Sequence, residues 1–545
     1  MKTEKKRRRG YWILAGALLV CVLLLGAGST QVMAATYTKK TVSASSIESK
    51  GATKAIQALL DEAKEKATAS NPYKITVPEG TYKLTKALHI YSNTFLVLKG
   101  VTLKQTGDAG LIIVGSESDN ATGYYYKNIT IYGGTLDLNK KEHTLLKVAH
   151  AYNFTLKKCT LKNVKNGHLM EVAGVKGLTV RSCTFQNQTL SDDASRSELY
   201  YEAIQIDVLV KKHFSDYVYE DLPCKNIVID NCKFKNVPRG VGSHTAVLNN
   251  PVKNIQITNS TFTNCRSAAI QGQNWINCTI SDNTINGTTP RGIAIYPVLF
   301  NTSAEGVYLS STLAAQGGVS SGTSVKYKTP AADQKIVITN NTITLSGSDP
   351  WADYDSVGIL VNGFTLSKKT GLGTASGDKI PKGDYYVSGV TISGNTIKTK
   401  YLGIRLVNTK KASITGNTIS YTGSGGQEKY YGIQLREKST CTSISSNKIS
   451  GSFIHGIYLN GSSKATKIAK NTISSPTKDG IRVEDSSRVT SVISNKIKKP
   501  GEYGIHVQLK GSVSKIQKNT ITSPGKKAGI RVASGSSTVS GNTIK

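Results

Sequence analysis

The stretch Asp479-Gly480-Ile481-Arg482-Val483-Glu484, followed fourteen residues after Ile481 by Asn495-Lys496-Ile497, decides the fold. Both halves of it return along the C-terminal part of the chain. A Gly-Ile step recurs at Gly403, Gly432, Gly456, Gly480, Gly504 and Gly529. An Asn-x-Ile step recurs at Asn395, Asn417, Asn447, Asn471, Asn495, Asn519 and Asn542. The spacing settles at about 24 residues, the length of one structural repeat in a solenoid.

Within each repeat, apolar positions alternate, as in Ile481/Val483 and Val489/Ile493, and turn residues separate them. Alternation of period two describes short strands with one buried face. No single repeat can bury that face alone, so stacking must supply the core, with each strand bonded to its equivalents roughly 4.8 Å above and below. The expected fold is therefore all-β: a single-stranded, parallel β-helix. The repeated Asn suits a turn that tolerates left-handed dihedrals, and stacked Asn side chains can bond one another as a ladder.

Three upstream stretches carry a family resemblance: Ile229-Asp230-Asn231-Cys232-Lys233-Phe234, Ile257-Thr258-Asn259-Ser260-Thr261-Phe262 and Ile280-Ser281-Asp282-Asn283-Thr284-Ile285. With the later repeats they resemble the right-handed parallel β-helix of the pectate-lyase-like superfamily, over most of the chain. Ala55-Ile56-Gln57-Ala58-Leu59-Leu60 with Val77-Pro78-Glu79-Gly80-Thr81-Tyr82 is similar to the N-terminal opening of that superfamily. The resemblance implies a right-handed solenoid. It does not choose a function, because the superfamily holds lyases, hydrolases, epimerases and non-enzymatic surface proteins.

At the N-terminus a basic run, Lys2 to Arg9, precedes an apolar run, Trp12 to Gly26, and small residues at Val32-Met33-Ala34. This order reads as a secretory signal over residues 1–34, removed after Ala34. The apolar run falls short of the roughly 20 residues a membrane span needs, so no stable span is expected once the leader is cleaved. The predicted location is extracellular, with cell-wall association. Residues 35–72 are expected to form an extended lead-in and a capping helix near Thr53 to Ala67, with Ile56, Leu59, Leu60 and Ala63 on one face. Coils are expected over 73–545.

The formal charge is +34, of which the leader's six basic and one acidic residue account for five, leaving +29. That excess favours a polyanionic partner such as a uronate-containing polysaccharide or an anionic wall polymer. No nucleic-acid-binding motif accompanies it. Seven cysteines remain after the leader, and Cys159, Cys183 and Cys232 hold equivalent places in their coils, so stacking makes a thiol column within bridging distance. No Cys/His spacing suits zinc and no Asp cluster is dense enough for calcium, so no metal or other cofactor is expected.

Insertions break the period near 208–224, 298–335 and 362–386. All three follow the Gly-Ile strand or its equivalent, so they should stand on one side and wall a groove. Aligning coils on the in-facing Ile gives three outward columns. The first is His168, Glu202, Arg239 and Arg291; the second Lys147, Glu171, Gln205 and Gln271; the third Ala173, Asp207, His244, Gln273 and Tyr296. Later coils read as a less coherent mixture, with Arg405, Gln434, Tyr458 and Arg482.

Glu202-Ala203-Ile204-Gln205-Ile206-Asp207 resembles the strand that carries an acidic catalytic residue in polygalacturonase-like hydrolases, with Glu202 in the matching place. It departs in having no paired Asp one coil on, no Gly-His-Gly and no Arg-Ile-Lys, although Arg291-Gly292-Ile293 stands near that last position. From spacing, Glu202 and Asp207 lie roughly 16 Å apart along one strand, whereas Glu171 and Asp207 lie about 8 Å apart across coils, a separation compatible with inverting hydrolysis. Elimination on a uronate needs instead a base beside the α-proton and cations on the carboxylate. His244 or Tyr296 could be that base, with Asp207 orienting His244 and with Arg239 and Arg291 neutralising the substrate. The candidate catalytic residues are thus Glu202, Asp207, His244 and Glu171, and the candidate substrate contacts are Arg239, Arg291, His168, Gln205, Gln271 and Tyr296. The rival reading is a non-catalytic wall or glycan-binding protein.

Overall fold

The computed structural model describes residues 36–191, 201–209, 220, 222–247, 250–287, 289–297, 306–308, 333–347, 356–366, 383–424 and 430–545. The expected leader and most of each insertion lie outside the described residues.

The chain winds into a right-handed parallel β-helix whose strands pair rung by rung in register. On one face Ile433, Ile457, Ile481, Ile505 and Ile530 stack in sequence. On the next, Ile444, Ile468, Val492 and Ile516 do the same. Ile449, Ile473, Ile497, Ile521 and Ile544 form the third. Nearly all of these side chains are fully buried, and burying an Ile contributes about 1.5–3 kcal/mol. The Gly of each Gly-Ile step is a packing requirement: a Cβ on Gly403 would lie 2.3 Å from the Gly432 carbonyl oxygen and 2.6 Å from Ile419.

The Asn ladder forms, with one difference from expectation. Each Asn donates its Nδ2 to the Oδ1 of the next at 2.9 Å, from Asn395 through Asn417, Asn447, Asn471 and Asn495 to Asn519. The left-handed residue is the one before it, as in Ser446, Lys470, Ser494 and Lys518. The ladder Asn points inward instead, where its amide satisfies buried backbone groups that would otherwise cost free energy. Upstream the same column continues through Asn341, Asn283 and Ser260 to Cys232, each linked to the next by a backbone N–H. All seven cysteines after the leader are free and buried.

The N-terminal region is more ordered than an extended lead-in. Thr38–Thr41 pairs in parallel with Tyr73–Thr76, so the first rung begins before the helices. Ala44–Lys50 is a short helix capped by the Ser43 hydroxyl, which accepts from the Ser46 N–H. The expected capping helix spans Ala52–Lys66 and buries Ile56, Leu60 and Ala63 over the open first coil. Among the described residues no helix is long and apolar enough to cross a membrane.

Candidate functional site

The face built from Met170–Arg181, Glu202–Asp207, Lys233–Gly242, Thr261–Gln273 and Arg291–Tyr296 carries the predicted site residues, with His168 two residues before the first of these strands and His244 two residues after the third. Its register reproduces the columns. Lys147, Glu171 and Gln205 stack, then Gly242 and Gln271. Glu202 stacks on Arg239, then Ala268, then Arg291. Ile204 and Ile206 face the core because they pair with Met170 and Val172, which leaves Gln205 and Asp207 on the other side.

A closed polar network gathers there. Glu202 is fully buried, its Oε1 accepting from Arg239 Nη1 at 2.6 Å and its Oε2 from His244 Nδ1 at 2.9 Å. Gln271, with its amide oxygen turned to Arg239, accepts from both terminal guanidinium nitrogens at 3.2 Å. On the far side of the His244 ring, Nε2 lies 3.8 Å from Asp207 Oδ2, and Gln205 Nε2 donates to that same oxygen at 2.7 Å. The His168 ring stacks on His244 with centroids 5.6 Å apart and planes 7° apart, and Tyr201 meets it edge-on. His168 Nδ1 lies 3.0 Å from the Glu202 carbonyl oxygen. Since a carbonyl only accepts, Nδ1 carries the hydrogen and Nε2 keeps its lone pair.

The two stacked imidazoles are driven apart electrically. Burial is the largest influence on His168 and holds it down to about 4. Burial also opposes charge on His244, but the Glu202 and Asp207 carboxylates outweigh it and raise that ring to about 9. For Glu202, burial is again the largest single influence, overcome by the charges of His244 and Arg239, and its carboxyl is held near 2. Near neutral pH the site therefore holds a neutral His168, a cationic His244 and an anionic Glu202. Glu171 is pushed upward, chiefly by burial, and accepts from Thr144 Oγ1 at 3.2 Å.

Two expectations change in detail. The strand spacing separates Glu202 from Asp207, yet their side chains converge on opposite nitrogens of one imidazole. That ring fills the space between these two carboxylates; Glu171, the partner that spacing gave Asp207 for inverting hydrolysis, stands on the neighbouring rung, paired with Gln205. His244, expected to be oriented by Asp207, lies 3.8 Å from it and is bonded at 2.9 Å to Glu202 as well, and its raised affinity for a proton makes it a donor near neutral pH. Arg291 stands three rungs from Glu202, roughly 14 Å along the axis. Tyr296 pairs with Gln273, farther along the same face. Tyr201 was not singled out from sequence, although it immediately precedes Glu202.

The later coils are more coherent than their sequence suggests. Arg405, Gln434, Tyr458, Arg482, His506 and Arg531 stack as one continuation of the second column. Arg482 bridges two carboxylates, Nη1 to Asp479 at 2.9 Å and Nε to Glu484 at 2.8 Å. Asp479 also takes the Tyr503 N–H at 3.1 Å and lies 3.3 Å from His506 Nδ1, while Glu484 accepts from Tyr458 Oη and Gln508 Nε2. The signal was in the composition: of five acidic residues after Tyr430, Asp479, Glu484, Asp485 and Glu502 fall within two neighbouring coils. His168/Glu202/His244 and Asp479/Glu502/His506 each offer three donor atoms within 4.8 Å of one another. In both sets an Arg guanidinium already sits against a carboxylate, at 2.6 and 2.9 Å, where a metal cation would meet like charge.

The family described as right handed beta helix region matches residues 222–370 and 380–521. Among solved structures, a surface adhesin of Streptococcus pneumoniae, PfbA, is 19% identical with a TM-score of 0.43, covering 83% of this chain and 88% of its own. The tailspike protein of E. coli bacteriophage HK620, solved in complex with a pentasaccharide, is 12% identical with a TM-score of 0.45, covering 90% of this chain and 74% of its own. No curated protein matches.

Proposed function

From the premise that this chain belongs to the right-handed β-helix family, we propose that it is a secreted, carbohydrate-active protein that cleaves an acidic, uronate-containing polysaccharide by β-elimination. The observation that carries this reading is the stacked pair His168 and His244, one neutral with an open Nε2, the other cationic, 5.6 Å apart. Paired groups pushed apart in acidity are how a site holds an acid and a base at one pH.

In this mechanism His168 Nε2 takes the proton from the carbon beside the uronate carboxylate. The bond from the next carbon to the glycosidic oxygen then breaks, a carbon–carbon double bond forms, and His244 returns a proton to the departing oxygen. Glu202 fixes the His244 ring and charges it, and Asp207 with Gln205 supports the other ring nitrogen. Glu171 lies beside them on the preceding rung. Arg239 balances Glu202, while Gln271, Arg291 and Tyr296 extend the face toward neighbouring sugars. The net charge of +29 left after the leader would draw a polyanionic substrate from solution or from an anionic wall.

Incubating the mature protein with a panel of acidic and neutral polysaccharides tests this, reading unsaturated-uronate absorbance and reducing ends together. Absorbance is expected from a uronate polymer, lost by about a hundredfold in His168→Ala. Reducing ends without absorbance would mean hydrolysis. The second reading, a non-catalytic glycan-binding protein, is favoured by the depth of the network, since Glu202, Asp207 and His244 are each at most 1% exposed. Silence in both assays, with glycan binding retained, would select it.

A further inference from the structure

On a different face, built from Ala412–Thr415, Thr440–Ser445, Lys464–Ala469, Arg488–Ile493 and Ser512–Gln517, a trough of about 550 Å³ runs parallel to the solenoid axis. Its floor is the stacked column Cys441, Ala465 and Val489, side chains small enough to leave a furrow. One wall is hydroxylic, with Thr442, Thr466, Thr490 and Ser514. The other stacks Thr440, Lys464, Arg488 and Ser512 rung upon rung, with Lys411 beside Thr440.

Among the described residues no carboxylate lines the trough. Lys411 reaches Asp333 at 3.0 Å, but Lys464 and Arg488 have no ion-pair partner among the described residues. The five acidic residues after Tyr430 face nineteen basic ones, and most of the five are drawn to the Asp479 cluster on the Gly-Ile face. The trough side keeps its positive charge unbalanced.

We propose that this trough is a second binding site, for a linear polyanion lying along the axis with its charged groups against Lys464 and Arg488 and its hydroxyls or backbone oxygens against the Thr wall. From Lys411 to Ser512 it spans four rungs, roughly 19 Å, the length of several units of a polymer. Exposed cations in a furrow attract a regularly charged chain more strongly than the same charges scattered over a convex surface. Among the described residues the lining has no aromatic side chain, the stacking platform that single-stranded nucleic acid uses. The ligand chemistry is a flexible chain carrying carboxylates or phosphodiesters. The site lies on another sheet from His168 and His244 and does not depend on the elimination reading.

The test measures binding of fluorescent polygalacturonate, as the carboxylate probe, and of fluorescent poly(glycerol phosphate), as the phosphodiester probe, to the full mature chain. A 30-mer of thymidylate serves as the comparison. Lys464→Ser/Arg488→Ser is set against Lys496→Ser/Lys498→Ser, which removes the same charge from exposed positions on the neighbouring sheet. The trough variant should weaken one or both polyanions at least tenfold and reduce the slope of log affinity against log salt by about two. The control should change affinity less than twofold. Equal weakening in both variants, thymidylate binding as tight and as trough-dependent as either probe, or no polyanion binding by the parent would each overturn the proposal. Repeating the measurement in His168→Ala protein reads binding without turnover, so a failed cleavage assay leaves the result standing.

Discussion

Two clusters of carboxylate, imidazole and guanidinium sit on the same face of one solenoid, and they are built differently. Around Glu202 one carboxylate bonds two cations in a fully buried setting, and one of those cations is a histidine that owes its charge chiefly to that carboxylate, with Asp207 second. Around Asp479 two carboxylates share one arginine at the edge of solvent, and each carboxylate accepts from a further donor, the Tyr503 N–H on Asp479 and Gln508 Nε2 on Glu484. The upstream cluster follows coils interrupted by insertions; the downstream cluster occupies uninterrupted 24-residue coils. Regular coils thus hold charge redundantly, whereas the irregular ones concentrate it on a single side chain. Concentration of this kind makes a reactive site and a fragile one.

The sharpest way to break the comparison is to remove the central carboxylates. Glu202→Gln removes the carboxylate that bonds both Arg239 and His244 in a buried setting, leaving Asp207 at 3.8 Å from the His244 ring, and should cost about 3–5 kcal/mol, read as a lower denaturant midpoint. Read from spacing alone, Glu202 would change rate and leave stability untouched; its bonds predict loss of both. Asp479→Asn should cost less, about 1–3 kcal/mol, because Arg482 keeps Glu484. Equal losses would erase the distinction between the clusters.

The next effect is a difference in pH response. His244, held at about 9 in the fold, stabilises it fully below its ordinary 6.5, and that contribution is lost as pH rises through 9. His168 and His455, both buried and held at about 4, act in the opposite sense: their contribution is present above 6.5 and lost as pH falls toward 4. Both regions should loosen in acid, and the upstream one alone in alkali. Limited proteolysis at pH 6 and 9, with cuts mapped by mass spectrometry, should show new cleavage within 168–244 at the higher pH and none within 455–506. Cleavage in both, or persistence of the effect in His244→Gln, would contradict the assignment.

The smallest effect sharpens the downstream side. Arg482→Gln should cost about 1–2 kcal/mol, since it breaks charged hydrogen bonds that are only partly shielded. Exposed Lys498→Gln should be silent. Arg482, which its sequence context marks as a plain outward residue, is therefore unsuitable as an inert control.

The repeat carried the fold in plain sight. Gly480-Ile481 and Asn495 recur at fixed spacing, and spacing fixes register, so the stacking of Glu171 on Gln205 and of Glu202 on Arg239 is legible in the sequence. Register does not fix where a long side chain leans. That is why Glu202 and Asp207, distant along the strand, meet at His244, and why His244 takes Glu202 as its main partner. A register shift between Val237 and Arg239, where the next coil carries one residue more, also lies beyond periodicity. The short helix at Ala44–Lys50 escaped because its sequence is polar and buries no residue, leaving no apolar stripe to read.

The inward turn column, thiols at Cys159, Cys183 and Cys232 and amides from Asn283 to Asn542, has a mechanical consequence. The thiols reach backbone oxygens at 3.1–3.7 Å, weak contacts, whereas each amide donates its nitrogen to the Asn oxygen of the next coil and accepts with its own oxygen from the side chain and backbone N–H of the coil before. In a solenoid, cohesion is a sum over neighbouring coils. Under tension along its axis such a molecule has a soft segment and a stiff one. The coils bearing His168 and Glu202 would part first, while those bearing the cationic trough stayed wound, so a chain tethered through the trough could yield at its reactive region without letting go.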